Sequence, residues 1–155
     1  MNMVGEFLKP GAVSVDLPVS NKKALFAHFG AIAEREYGLA AHDVIDRLTE
    51  RERLGSTGFG SGIAIPHGKI DGLGHIVAVF ARISHSVDYQ SIDQMPVDLA
   101  FCLLSPPGAG AEHLKALAQV SRWLRDPQFV AKLRGAASND AVFALLTGTE
   151  ARNAA

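Results

Sequence analysis

His67 stands near the end of the segment Gly55–Lys69, GSTGFGSGIAIPHGK, in which five of fifteen residues are glycine. A neutral imidazole is a competent nucleophile, and at its ordinary pKa of about 6.5 roughly three-quarters of it is neutral at pH 7. It can take a phosphoryl group and pass it on. Transfer between two imidazoles changes little in bond type, so it demands positioning, donors and fixed positive charge rather than ATP or a metal. Pro66 has a fixed φ and pushes Ile65 into an extended conformation, which holds His67 in a defined place. Glycines let successive N–H groups point into one concavity, and such nests bind anions. Gly60, Ser61, Gly62 and Gly68 are therefore candidates for a phosphate cradle. The same residue types also fit a plain turn with an uncatalytic histidine.

The segment fails both nucleotide motifs on spacing. A P-loop needs four residues between its glycines and a hydroxyl after its lysine; Gly62 and Gly68 enclose five, and Ile70 follows Lys69. A dinucleotide fingerprint reads G-x-G-x-x-G after a strand; here Gly58, Gly60 and Gly62 give G-x-G-x-G after a stretch with helical character.

The elements that must position His67 follow from periodicity. A helix is predicted over 21–37, capped by Ser20, facing Leu25, Phe29 and Ile32 inward and stopped by Gly38. A second is predicted over 41–53, with Val44, Ile45 and Leu48 inward and Gly55 as its end. Ile63–Ile65 is short and β-compatible. HIVAVFAR (His75–Arg82) and VDLAFCLL (Val97–Leu104) are nearly continuous apolar runs, expected of strands covered on both faces, with a polar connection over 84–96. A helix over 112–125 is expected to place Leu114, Leu117, Ser121 and Leu124 on one stripe. Asp126-Pro127 opens another helix, ending near Gly135, and Ser138 caps a last one over 139–147. Helices before and after central strands make the fold class α+β: a three-layer α/β/α arrangement with a mixed sheet flanked by helices on both faces. No repeat or linker interrupts it before the ragged tail ARNAA, so residues 1–155 read as a single domain.

The totals exclude several classes. The chain has 155 residues, a net charge of −1 and 48% hydrophobic residues. No basic field argues for nucleic acid or an anionic membrane. The start MNMVGEFLKPGAV lacks the pattern of a signal peptide, and no apolar run is long enough to span a bilayer. Cys102 is the single cysteine, inside an apolar run, so no internal disulfide forms and a cytoplasmic location is expected. Six histidines without His-rich spacing or a supporting carboxylate do not make a metal site, and neither metal nor cofactor is expected. His28, His42, His75 and His85 read as helix, helix-start, strand-start and connection residues, and Trp123 as packing. Ser56 and Thr57 can donate to phosphate, although turn hydroxyls commonly bond local backbone. Lys69 is a further weak candidate for holding phosphate or a partner.

RERLGSTGFGSGIAIPHGK resembles the active-site segment of the enzyme IIA domains of the bacterial phosphotransferase system, in their fructose/mannitol group and its nitrogen-regulatory branch. That group carries G-x-A-[IV]-P-H, and here Gly62–His67 matches it. SNKKALFAHF resembles the family's first helix, IDQMPVDLAFCLLSP its D-x-x-P-V-D-L-x-F strand entry, and EHLKALAQVSRWL its helix with a second active-site histidine. The resemblance runs from about Phe7 to Gly148. It implies the mannitol/fructose-type IIA fold, with His67 as phosphoryl acceptor, His113 as partner imidazole and Arg51 as the group that binds phosphoryl oxygens. Arg53 is the competing arginine. His113 would fall in a first helical turn, where free N–H groups and the helix dipole favour an anion; without the resemblance it reads as an exposed helix-start residue, and Arg51 as a surface charge.

The resemblance further implies a phosphotransferase with a phosphohistidine intermediate. An HPr-type phosphocarrier would be the donor, and the regulated proteins would be of the kind of potassium transporters or sensor kinases. At 155 residues a fused IIB or membrane domain is not expected. Three other readings compete: a stand-alone fructose-type IIA that passes phosphate to a IIB cysteine in sugar uptake, a binding module that regulates by contact alone, and a metallohydrolase.

Overall fold

The computed structural model describes residues 3–148; the tail Ala151–Ala155 lies outside the described residues. Among those described, six strands form one mixed sheet: β1 (Leu8–Leu17), β2 (Gly58–Gly60), β3 (Ile63–Ala64), β4 (His67–Lys69), β5 (Val77–Val87) and β6 (Val97–Ser105). The order is β1-β5-β6-β3-β2, with β4 also paired to β6. β5 and β6 are antiparallel, β1 runs parallel to β5, and β3 and β4 run parallel to β6. Helices α1 (Lys22–Tyr37) and α2 (Ala41–Arg53) pack on one face. Helices α3 (Gly110–Leu124), α4 (Pro127–Gly135) and α5 (Asn139–Thr147) cover the other. The expected three-layer class is the one observed.

The central strands are buried as their continuous apolar runs predict. Val77–Ala81 and Leu99–Leu104 lie inside the core, and Phe80 meets Phe101 edge-on at 6.2 Å. Burial there also pushes the Cys102 thiol pKa up, so it packs as a small apolar group. Gly38 ends α1 in the left-handed conformation. Asp126 accepts from Gln128 N and Ser138 from Ala141 N, each opening its helix as predicted.

Four expectations change. The N-cap of α1 is Asn21, whose Oδ1 accepts from Ala24 N at 2.7 Å, and not Ser20. β5 begins at Val77, beyond His75, and runs on to Val87, which places His85 in the strand; pairing of Leu17 with Ile83 and of Val87 with Val97 lengthens the ladder past its apolar part. The following connection is less polar in place than in composition, because Tyr89 is fully buried. The inward stripe of α3 is His113, Ala116, Val120 and Leu124, while Leu114 is 66% exposed. Strand β1 carries no sequence signal, since Pro10 and Gly11 interrupt it and its burial does not alternate. It is an edge strand, where proline is tolerated. Tyr37 ties it down, accepting from Lys9 N at 3.0 Å and donating to Ala78 O at 2.8 Å, while Val15 N donates to Asn139.

Candidate functional site

β4 sets His67 level with Leu103 of β6, and Ser105, the last residue of β6, level with Lys69. This end of β6 lies between α2 and the start of α3. The Nδ1 of His67 donates to Ile65 O at 2.8 Å. A carbonyl can only accept, so the proton sits on Nδ1 and Nε2 presents a lone pair. Among the described residues Nε2 makes no hydrogen bond. Pro66 supports the arrangement: its φ is fixed, and its carbonyl accepts from Leu103 N at 3.0 Å.

His113 lies in the first turns of α3, and its ring centroid is 5.6 Å from that of His67 with planes tilted by 52°. It is 7% exposed, which rules out the reading of an exposed helix-start residue. Its Nδ1 lies 2.5 Å from Ser105 Oγ. Burial lowers the pKa of both histidines below the ordinary value. For His67 the carbonyl of Ile65 works against that shift and the Arg51 charge adds to it; for His113 the neighbouring His67 and Lys69 add to it. Both rings therefore stay neutral at neutral pH.

Arg51 and Arg53 separate cleanly. Arg51, in the last turn of α2, donates from Nη1 to Gly55 O at 2.9 Å and acts electrostatically on His67. Arg53 instead lines a groove with Lys22, Lys23 and Phe26 between α1 and α2. Glu52, between the two arginines, is nearly buried. It accepts from Thr57 N and from Thr57 Oγ1 (2.5 Å), and it pairs with Lys22 at 3.0 Å. Burial raises the Glu52 carboxyl, but these donors outweigh burial and hold it low. This clasp fastens the turn after α2 and so the backbone to which Arg51 is tied. Thr57 also meets Tyr89 OH at 2.8 Å, and Ser56 Oγ accepts from the local amide Gly58 N at 3.1 Å.

The expected glycine cradle does not assemble at His67. Gly60, Ser61 and Gly62 have positive φ and form the turn between β2 and β3. Gly62 O accepts from Asp98 N and Leu99 N, near the start of β6, whereas His67 is level with Leu103. At about 3.3 Å per residue the two places are about 15 Å apart. The turn's Ser61 N is already taken: it donates to Asp93 Oδ2, in the β5–β6 connection, at 3.0 Å. Gly68 does adjoin His67, but what approaches it is the chain itself. A Cβ there would lie 3.2 Å from Arg47 Cβ, so Gly68 lets α2 settle on β4.

Lys69 is exposed beside His67 on β4, and His75 and His85 are exposed. His28 meets Ser14 Oγ at 3.1 Å, His42 is exposed beside Asp43, and Trp123 packs against Phe129. The structure adds Ser105 and Glu52 to the surroundings of the site. Their only sequence signals were a serine closing an apolar strand before Pro106 and a glutamate between two arginines.

Fold and site together define a three-layer α/β/α domain with two adjacent imidazoles at one end of its mixed sheet. A family model for the phosphoenolpyruvate-dependent sugar phosphotransferase system, EIIA 2, matches residues 6–148, and the chain belongs to that family. Within it the chain matches the nitrogen-regulatory branch. It is 41% identical over 143 residues to the nitrogen regulatory protein of Bradyrhizobium diazoefficiens, covering 92% of this chain and 94% of the relative. It superposes on the nitrogen regulatory protein IIA-Ntr of Neisseria meningitidis with a TM-score of 0.89 at 37% identity, covering 94% of this chain and 100% of that one. The IIA mannitol structure from Escherichia coli, at 18% identity and a TM-score of 0.74 over 89% of this chain and 97% of that one, shares the fold.

Proposed function

We propose that the chain is a phosphoryl carrier in which Nε2 of His67 accepts a phosphoryl group from an N-phosphorylated imidazole of an HPr-type carrier protein. The observation that carries this reading is the anchoring of His67. Its Nδ1–H is held by Ile65 O, its Nε2 is open, and a second imidazole stands 5.6 Å away. In the transfer the donor's N–P bond breaks and its electron pair stays on the donor ring. The Nε2 lone pair forms the new N–P bond and the Nδ1 proton stays where it is, so the accepting ring takes on the positive charge that the donor ring, protonated on its other nitrogen and leaving as a neutral imidazole, gives up. The bonds broken and made are of the same type, so the chain's contribution is position and charge.

The incoming group brings about two negative charges near neutral pH. Arg51 answers them with the guanidinium N–H groups that Gly55 does not use. His113 supplies a further donor, and the N-terminus of α3 adds partial positive charge. Lowered histidine pKa values keep the accepting lone pair available at neutral pH. The chain then acts as a regulator: the charge on His67 repels partners that bring an acidic or apolar surface and attracts those that bring arginines. The nitrogen-regulatory relatives support this role over sugar uptake; the regulated partners we propose, on the family resemblance alone, are proteins such as potassium transporters or sensor kinases.

Incubation with a phosphorylated HPr-type donor, followed by mass mapping, tests the reading. A single acid-labile phosphate on His67 is expected. An acid-stable label, or a label on another residue, overturns it.

A further inference from the structure

The two site histidines are anchored by different kinds of group, and the difference fixes where their protons lie. Ile65 offers His67 a carbonyl, so that proton sits on Nδ1. Ser105 offers His113 a hydroxyl, which can donate or accept. The surroundings of Ser105 decide between the two. Ser105 is fully buried, and its own carbonyl is taken by Ile70 N at 2.9 Å. Among the described residues its Oγ has one hydrogen-bond partner, Nδ1 of His113. If that nitrogen carried the proton, the serine hydroxyl would accept, and its own hydrogen would point at nothing in a water-excluded place. Native structures avoid buried donors of that kind because desolvation is then uncompensated. The hydroxyl therefore donates, Nδ1 accepts, and the proton of the neutral ring is displaced to Nε2.

We propose that Ser105 is a positioning residue that locks His113 in the Nε2–H tautomer, so that His113 donates a hydrogen bond to a phosphoryl group carried on Nε2 of His67. The function assigned to the lock rests on the phosphoryl-carrier reading; the tautomer itself does not. The two rings are then complementary: His67 presents a lone pair and His113 presents an N–H. His113 then needs neither to gain nor to shift a proton when the phosphoryl group arrives. Lys69, level with Ser105 on β4, and His67 are the charged or titratable groups that act on His113, and both disfavour imidazolium.

Long-range nitrogen–proton correlation spectra of the full-length, unphosphorylated protein at slightly alkaline pH test this. In the wild type, His113 Nδ1 is expected at the shift of an unprotonated ring nitrogen and Nε2 at that of a protonated one, the reverse of His67. Ser105→Ala should give averaged shifts at His113 and slow phosphoryl acceptance by about fivefold, the effect of losing one ordinary hydrogen bond. Ser105→Thr, which keeps the hydroxyl, should restore both. A wild-type His113 with its proton on Nδ1 overturns the proposal whether or not any variant folds. An unchanged tautomer and rate in Ser105→Ala overturns it as well. Because the spectra need no phosphate, they separate failure of the lock from failure of the carrier reading, which mapping of the label on His67 decides.

Discussion

The two ends of β6 carry similar residue types and have opposite chemistry. At its start, Arg134 is clamped through two nitrogens: Nε and Nη2 bind the Asp98 carboxylate at 2.8 and 2.7 Å, and Nη2 also donates to Ser61 O at 3.0 Å. The cleft there is roomy, about 740 Å³, and Arg125 on its wall stacks over Phe59. At the far end Arg51, His67 and His113 are each tethered through one nitrogen, with another nitrogen left over. Arg51 is held by Nη1, His67 by Nδ1 and His113 by Nδ1. A group clamped through two nitrogens on a carboxylate is spent on the fold. One fixed at a single atom is oriented without being used up, and that is the arrangement a transferred group requires. Cleft volume points to the end of the strand opposite the proposed site.

The strongest way to break this contrast is His67→Ala, which should abolish labelling by a phosphorylated carrier; label that persists would place acceptance elsewhere. Arg51→Ala should slow transfer about a hundredfold, on the order of 3 kcal/mol, as for loss of one oxyanion donor. Its neighbour sharpens the test, because Arg53→Ala should change the rate by less than about threefold. Equal effects of the two substitutions would remove Arg51 from the site.

Acidity probes the buried rings. His67 and His113, with the half-buried His28, have folded pKa values below the ordinary one, chiefly through burial. As pH falls, the unfolded chain therefore binds protons first. The stability that these groups support is full above about pH 6.5 and is lost as pH falls through their lower folded values. Denaturant titrations should follow that course, with a shallower loss in His67→Gln. By the same sign, the rate of phosphoryl acceptance should stay level as pH falls to about 6.5. A rate already halved there would mean that His67 is not protected. The smallest effect is expected at the other end of β6. Arg134→Ala should leave transfer unchanged and lower stability by about 1 kcal/mol or less, since that ion pair is partly solvated. Slowed transfer would show that the two ends are coupled.

Local chemistry was legible wherever it is written in neighbouring residues. Pro66 beside His67, Asp126-Pro127 at a helix start, Ser138 as a cap and Gly38 as a stop each act within a few residues. The continuous apolar runs of β5 and β6 announced burial on both faces. Strand β1 was not legible, because its order comes from β5, Tyr37 and Asn139, partners far away in the chain. The face of α3 was misread for a related reason. Leucines at 114 and 117 make a plausible stripe, but the docking of the helix on the sheet turns His113, Ala116 and Val120 inward instead.

The sequence by itself determined the nucleophile candidate, the helices and central strands, and the exclusion of both nucleotide motifs, because bond rotation, capping and hydrophobic periodicity are short-range. Only the tertiary structure decided which arginine stands by His67, that residues 60–62 form a distant hairpin turn, and which proton each imidazole keeps. Those outcomes depend on groups from β4, β6, α2 and α3 meeting at one strand end, and electrostatic and hydrogen-bond energies depend on distance through space, not on separation along the chain.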